Sequence, residues 1–163
     1  MSGTASKEPT TRRGFFGRLA ASLAGGTLVA ASANRQAGAA TPVAQDGIQK
    51  VVYHLSDADK VNFVLGNIRN HITGKGGPDK VRIVLVVHGP PLMAFVAGKR
   101  DPKIEKMTGQ AIDNGVELVA CGNTMKAQDI TLDVLPSGFA VADEGGVVRI
   151  ADLQQQGYFY IRP

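Results

Sequence analysis

Three residues of this 163-residue chain carry side chains that can move a proton, hold a metal or attack a sulfur atom, and each stands at the end of an apolar run: His54, His88 and Cys121. Cys121, in "VACGNTM", is the single cysteine, so no disulfide can close within one chain. Its thiolate would be a nucleophile, and because free cysteine has a pKa of about 8.5, a modest fall brings the anion into the physiological range. Gly122, Asn123 and Thr124 read as the cap of a following helix. The unpaired N–H groups of that helix would face the sulfur and favour its charged form, typically by about 0.3 to 1 kcal/mol at exposed sites. His54 or His88 would add to this as a cation, or accept the proton when neutral. The expectation is a sulfur exposed at the rim of a sheet and easily ionised.

The same residues admit two other chemistries. Two imidazoles and a thiolate form a ligand set for copper or zinc. Unpaired cysteine is also among the most often buried residue types, so Cys121 could simply pack inside a non-catalytic oligomeric binding module. Each histidine could merely satisfy a turn, His88 at Gly89 for instance.

For these side chains to meet, the elements carrying them must be neighbours. After residue 45, short apolar runs alternate with amphipathic stretches, the pattern of parallel strands joined by crossover helices. "KVVYHLS" reads as the first strand. "SDADKVNFVLGNIRNHI" reads as a helix with Val61, Val64, Leu65, Ile68 and Ile72 on one face, Ser56 or Asp57 as N-cap, and Gly74 or Gly76 as C-cap. "KVRIVLVVHG" is a second strand, and its unbroken apolar run predicts burial on both faces. A second helix follows in "KIEKMTGQAIDNG", with Ile104, Met107, Ala111 and Ile112 aligned. Then come a strand in "VELVACG", a broken helical stretch in "NTMKAQDITLDVL", a short strand in "SGFAVAD", a helix in "VVRIADLQQQG" and a last strand in "YFYIR". The predicted fold is a three-layer α/β/α sandwich with a mainly parallel five-stranded sheet.

In such sheets the ligand crevice lies beyond the carboxyl ends of the strands. His54, His88 and Cys121 end the first, second and third strands, which puts all three on one edge if those strands adjoin. His71 lies about fifteen residues down the first helix, roughly 20 Å away at 1.5 Å per residue, and is expected at the opposite rim with no role. "GKGGPDK" resembles a phosphate loop but follows a helix and precedes a strand, so it reads as a helix stop. The chain has no C-x-x-C, G-x-S-x-G, H-E-x-x-H or G-x-G-x-x-G, and no cofactor is expected. The apolar link "PPLMAFVAG" could line a pocket, close it as a lid or pack between subunits, and packing between subunits is favoured; the 89–101 loop is expected to shield the sulfur.

The first forty residues read as an address. Arg12 and Arg13 precede Gly14, Phe15 and Phe16, then a mildly apolar Ala- and Gly-rich block, then Ala31-Ser32-Ala33 and Ala37-Gly38-Ala39. This is the pattern of a twin-arginine export signal over residues 1–40, cleaved near position 34 or 40 with the later site favoured, and it predicts a periplasmic domain over 41–163. Lys7, Arg12, Arg13, Arg18 and Arg35 against Glu8 account for the whole net charge of +4, leaving thirteen residues of each sign from 41 onward. No basic stripe remains for nucleic acid, and membrane contact is expected only through the signal.

Over residues 48 to 163, the segments "KVVYHLSD", "NIRNHI", "VVHGPPL", "GVELVACGNTM" and "LQQQGYFYIRP" come in an order and spacing similar to the DsrE/DsrF-like proteins, particularly their small exported members. The resemblance implies a five-stranded parallel α/β/α domain assembling as a trimer or hexamer. In the sulfur-relay members it implies a cysteine that carries sulfur as a persulfide, and Cys121 falls at that position. His54 and His88 match family-typical positions without a transferable role. The relay proteins act in the cytoplasm with dedicated partners, so export leaves the sulfur donor and acceptor open among proteins, small thiols and polysulfide. The function expected is a periplasmic sulfur carrier or sulfurtransferase-like protein.

Overall fold

The computed structural model describes residues 47–163; the export signal and its cleavage sites lie outside the described residues. The apolar runs form strands β1 (Gln49–Leu55), β2 (Val81–Val87), β3 (Glu117–Cys121), β4 (Phe139–Ala142) and β5 (Phe159–Ile161). All pairings are parallel and the order is β4-β3-β2-β1-β5, so β1, β2 and β3 do adjoin. Central β2 is buried at every position except Arg82, as its continuous Val, Ile and Leu content requires.

Helices α1 (Val61–Lys75), α2 (Pro102–Asp113) and α3 (Gly122–Gln128) follow the first three strands, and α4 (Gly146–Gln155) follows β4. Because side chains alternate across a strand, the sheet has two unequal cores. The larger gathers Val51, Tyr53, Leu85, Leu118 and Phe139 with apolar residues of α1, α2 and α3. The smaller joins Val52, Val84, Val86, Val119 and Ala142 to Ile150 and Leu153 of α4. Among the described residues no helix is long and apolar enough to cross a membrane.

Helix α1 buries the five residues its spacing predicts and ends at Gly76, whose φ of 90° lets its N–H reach the carbonyls of Ile72 and Thr73. Neither predicted N-cap works as one. A 3₁₀ turn (Ala58–Lys60) precedes the helix, and the Asp57 carboxylate instead accepts from Arg162 at 3.1 Å and from Ser56 at 3.3 Å. A charge-assisted bond to the guanidinium outcompetes a neutral backbone donor. In α2, capped by Asp101 through the Lys103 N–H, the buried face is Ile104, Thr108 and Ala111, with Met107 and Ile112 only half-buried.

The link after β2 does have local structure, a 3₁₀ segment over Pro90–Phe95, and half of its side chains are used within the chain while Met93 and Ala94 stay half-buried and Pro90 exposed. Pro91, Leu92 and Phe95 are buried, Leu92 and Phe95 in the chain's own larger core, and the Phe95 ring meets Phe139 edge-on at 5.3 Å. Phe95→Ala should therefore lower unfolding free energy by about 3 to 5 kcal/mol, the usual cost of emptying a buried phenylalanine site, measured as a fall in the urea midpoint without a change in slope.

Candidate functional site

The strand register decides which side chains share the carboxyl edge. Val87 pairs with Ala120, so His88, the next residue, stands level with Cys121. His54 pairs with Val86 and Tyr160 with Val52, positions on the face that α4 covers. Cys121, His88, His54 and Tyr160 thus form a diagonal row across β3, β2, β1 and β5, each step crossing one inter-strand spacing of about 4.8 Å. Within it, His54 Nδ1 lies 2.8 Å from the Tyr160 hydroxyl and His54 Nε2 lies 2.9 Å from His88 Nδ1.

Cys121 ends β3, as the sequence predicts, but the N-cap position of α3 falls on Cys121 itself and Gly122, Asn123 and Thr124 are already its first turn; nor is the sulfur exposed, since only 3 % of the residue's surface is accessible. The cover is the first turn of α4. A β-carbon on Gly146 would come within 3.2 Å of Cys121 Cβ, of His88 Cβ and of Val86 Cγ1, so only glycine lets the helix start seat on both residues. The 89–101 loop is not the shield, because its buried side chains fill the opposite face of the sheet. Its one tie to the site is the Gly89 N–H, which donates to Thr124 Oγ1 at 2.8 Å.

That tie orients the chemistry. With its oxygen accepting from Gly89, the Thr124 hydroxyl has its own proton to turn toward the sulfur. Burial pushes the Cys121 thiol up, but the Thr124 hydroxyl and the N–H groups of Gly146, Thr124 and Asn123 outweigh it, and the pKa falls below the ordinary thiol value. The groups that lower it are one hydroxyl and the backbone of two helix starts, not an imidazole, although the sulfur makes no capping hydrogen bond to α3. For His54, burial is the main reason its pKa is lowered; the neighbouring His88 and Arg162 push the same way, against Asp57.

The structure brings His54 and His88 together but does not gather them with Cys121 as ligands. Two nitrogens 2.9 Å apart are turned toward each other in a hydrogen bond, whereas a zinc ion needs each of them at about 2.0 to 2.1 Å and directed at the metal. Among the described residues no three His, Cys, Asp or Glu side chains could hold one metal ion. His71 sits near the amino end of β1, as predicted, bonded to Tyr53 at 2.9 Å and Gln49 at 3.0 Å. Sequence reasoning missed Tyr160, the hydroxyl of Thr124, and Gly146. The last had a signal, since a Gly145-Gly146 pair opening an amphipathic helix without a capping side chain marks a close backbone approach.

No family model matches the sequence, and neither does any curated protein. Among solved structures, the chain is similar to MTH1491 from Methanobacterium thermoautotrophicum, a protein of unknown function, at 29% identity and a TM-score of 0.61, over 71% of this chain and 99% of that one. It is also similar to the ychN protein from E. coli, at 14% identity and a TM-score of 0.59, over 71% of this chain and all of that one. BT1422 from Bacteroides thetaiotaomicron gives 11% identity and a TM-score of 0.56, over 71% and 95%. These likenesses support a DsrE/DsrF-like fold with a mainly parallel five-stranded sheet.

Two outcomes follow from this geometry. The rate of Cys121 alkylation by a small reagent should rise with pH through an inflection lower than that of an ordinary thiol, and Thr124→Val should move that inflection upward by removing the hydroxyl donor. Gly146→Ala should cost about 1 to 3 kcal/mol of stability, because the β-carbons it meets belong to two strands and cannot swing aside; thermal unfolding of the pair measures this.

Proposed function

We propose that the protein is an exported sulfur carrier that holds sulfur as a persulfide on Cys121. The observation that carries this reading is the set of donors around the one sulfur, the Thr124 hydroxyl with the amides of Gly146, Thr124 and Asn123, which stabilises an anion in an otherwise enclosed place. A cysteine that merely filled space would sit among apolar neighbours and have its pKa raised. The DsrE/DsrF-like fold supports the same chemistry, and the paired Arg12 and Arg13 support the twin-arginine route to the periplasm. Assembly as a trimer or hexamer belongs to this reading.

In the loading step the Cys121 thiolate attacks the outer sulfur of a donor persulfide, R–S–SH. The bond from that sulfur to the donor breaks, a Cys–S–SH forms, and the donor leaves as R–S⁻. In the unloading step an acceptor thiolate attacks the same outer sulfur and Cys121 leaves as thiolate. No net oxidation occurs, since one sulfane sulfur changes hands. Donor and acceptor are drawn from partner proteins, small thiols and polysulfide.

The 3 % exposure of Cys121 favours one other reading, in which the sulfur only packs and the domain is a binding module. Intact mass measured after incubation with inorganic polysulfide separates the two. Wild-type protein should gain whole sulfur atoms that a reductant removes, and Cys121→Ser should gain none. An unmodified wild type under conditions that load a known carrier, with alkylation of Cys121 seen only after denaturation, would reject the carrier.

A further inference from the structure

Resting on the sulfur-carrier reading, we infer that Tyr160, His54 and His88 form the proton path of the site, with His88 as the group that protonates the departing donor thiolate and deprotonates the incoming acceptor thiol. Tyr160 and His54 are positioning residues that couple the tautomer of His88 to that of His54 and connect it to solvent.

A hydrogen bond between two neutral imidazoles needs one N–H and one bare nitrogen. Both nitrogens of His54 are engaged, one by His88 and one by the Tyr160 hydroxyl. The row therefore has two self-consistent polarities. In one, Tyr160 donates to His54 Nδ1, His54 Nε2–H donates to His88 Nδ1, and the proton of His88 is on Nε2. In the other every bond is reversed: His88 Nδ1–H donates to His54 Nε2, His54 Nδ1–H donates to Tyr160, and His88 Nε2 is bare. Passing one proton along the row converts the first polarity into the second.

The two ends of the row suit this use. His88 stands level with Cys121, beneath the same Gly146. Tyr160 is on an edge strand and 42 % exposed, where water can return or remove a proton. Around His54 the charged groups are Arg162 and Asp57, paired with each other at 3.1 Å, and the lowered pKa of His54 keeps its ring neutral, as a two-polarity row requires.

The proton balance closes with the sulfur steps. When the donor leaves as R–S⁻, His88 Nε2–H protonates it to R–SH; the His54 Nε2 proton moves to His88 Nδ1, the Tyr160 proton moves to His54 Nδ1, and solvent reprotonates the tyrosine oxygen. The row is then in its second polarity, with the bare His88 Nε2 ready to take the proton of an acceptor R′–SH. That transfer runs the row backward and releases a proton to solvent at Tyr160. One loading and one unloading step restore the starting state.

The test uses the full chain with ¹⁵N-labelled histidine and inorganic polysulfide as donor. The rings of His54 and His88 should report the same tautomer ratio in the wild type, and that ratio should shift in both together in Tyr160→Phe, which changes only an exposed hydroxyl. General acid–base groups typically contribute 10²- to 10⁴-fold, so losing the positioning hydroxyl should slow persulfide formation on Cys121 by about tenfold, and His88→Ala should slow it by about 100-fold. His54→Gln, which keeps a donor and an acceptor but cannot relay, should load as slowly as Tyr160→Phe. If Tyr160→Phe and His54→Gln load at the wild-type rate, the proton path is wrong and the carrier reading stands. If the wild type never loads, the carrier reading fails and the spectra decide the row: different tautomer ratios in the two wild-type rings overturn it, and a shared ratio that shifts together in Tyr160→Phe upholds it.

Discussion

The close seat of α4 on the ends of β2 and β3 is the constraint on which the site depends. A β-carbon on Gly146 would crowd Cys121, His88 and Val86 at 3.2 Å each, so its absence lets the backbone of the helix start come close to the sulfur. The strands supply the other half. Their parallel register sets Cys121 and His88 level and carries His54 and Tyr160 away along a diagonal, all on the face that one helix covers. Moving any of these strands by one residue would turn its side chain to the opposite core.

Burial and ionisation oppose each other at Cys121, and the balance is settled by the number of donors. Taking a thiolate out of water raises its pKa, yet one hydroxyl and three amides together push the other way by more. The hydroxyl matters more than its count implies. Thr124 Oγ1 accepts from the Gly89 N–H, so the loop after β2 holds the hydroxyl in place on α3 while leaving its proton free to donate elsewhere. A sulfur held in this way ionises more easily than an ordinary thiol and is sheltered, which suits the proposed role of reacting with selected sulfur compounds and not with every oxidant that diffuses past.

Much of this was legible in the chain itself. The apolar runs gave the strands, the five spaced residues gave the buried face of α1, and three chemically capable residues at strand ends gave the edge. What failed was information carried by distant partners. Tyr160 lies 106 residues from His54, and nothing in either segment reveals that β5 returns to pair with β1. Asp57 looked like a cap because the competing Arg162 also comes from the far end of the chain. The exposure of Cys121 depends on which helix lies over the strand, and the helical segment legible in "VVRIADLQQQG" starts just after the Gly145-Gly146 pair that seats it. The segment over Pro90–Phe95 was apolar enough for an interface, but the same residues were needed to complete the core beneath α1 and α2.

A single cysteine constrains the chemistry as firmly as the geometry does. Proteins with two neighbouring thiols can discharge a persulfide by closing a disulfide within the chain; this one has no second thiol to close it. In the proposed carrier, sulfur loaded on Cys121 would therefore wait for a thiol from outside the chain. The donors that lower the thiol pKa make Cys121 a better leaving group in unloading while making its thiolate a weaker nucleophile in loading. A carrier needs this compromise, since a site tuned only to capture sulfur would not give it up.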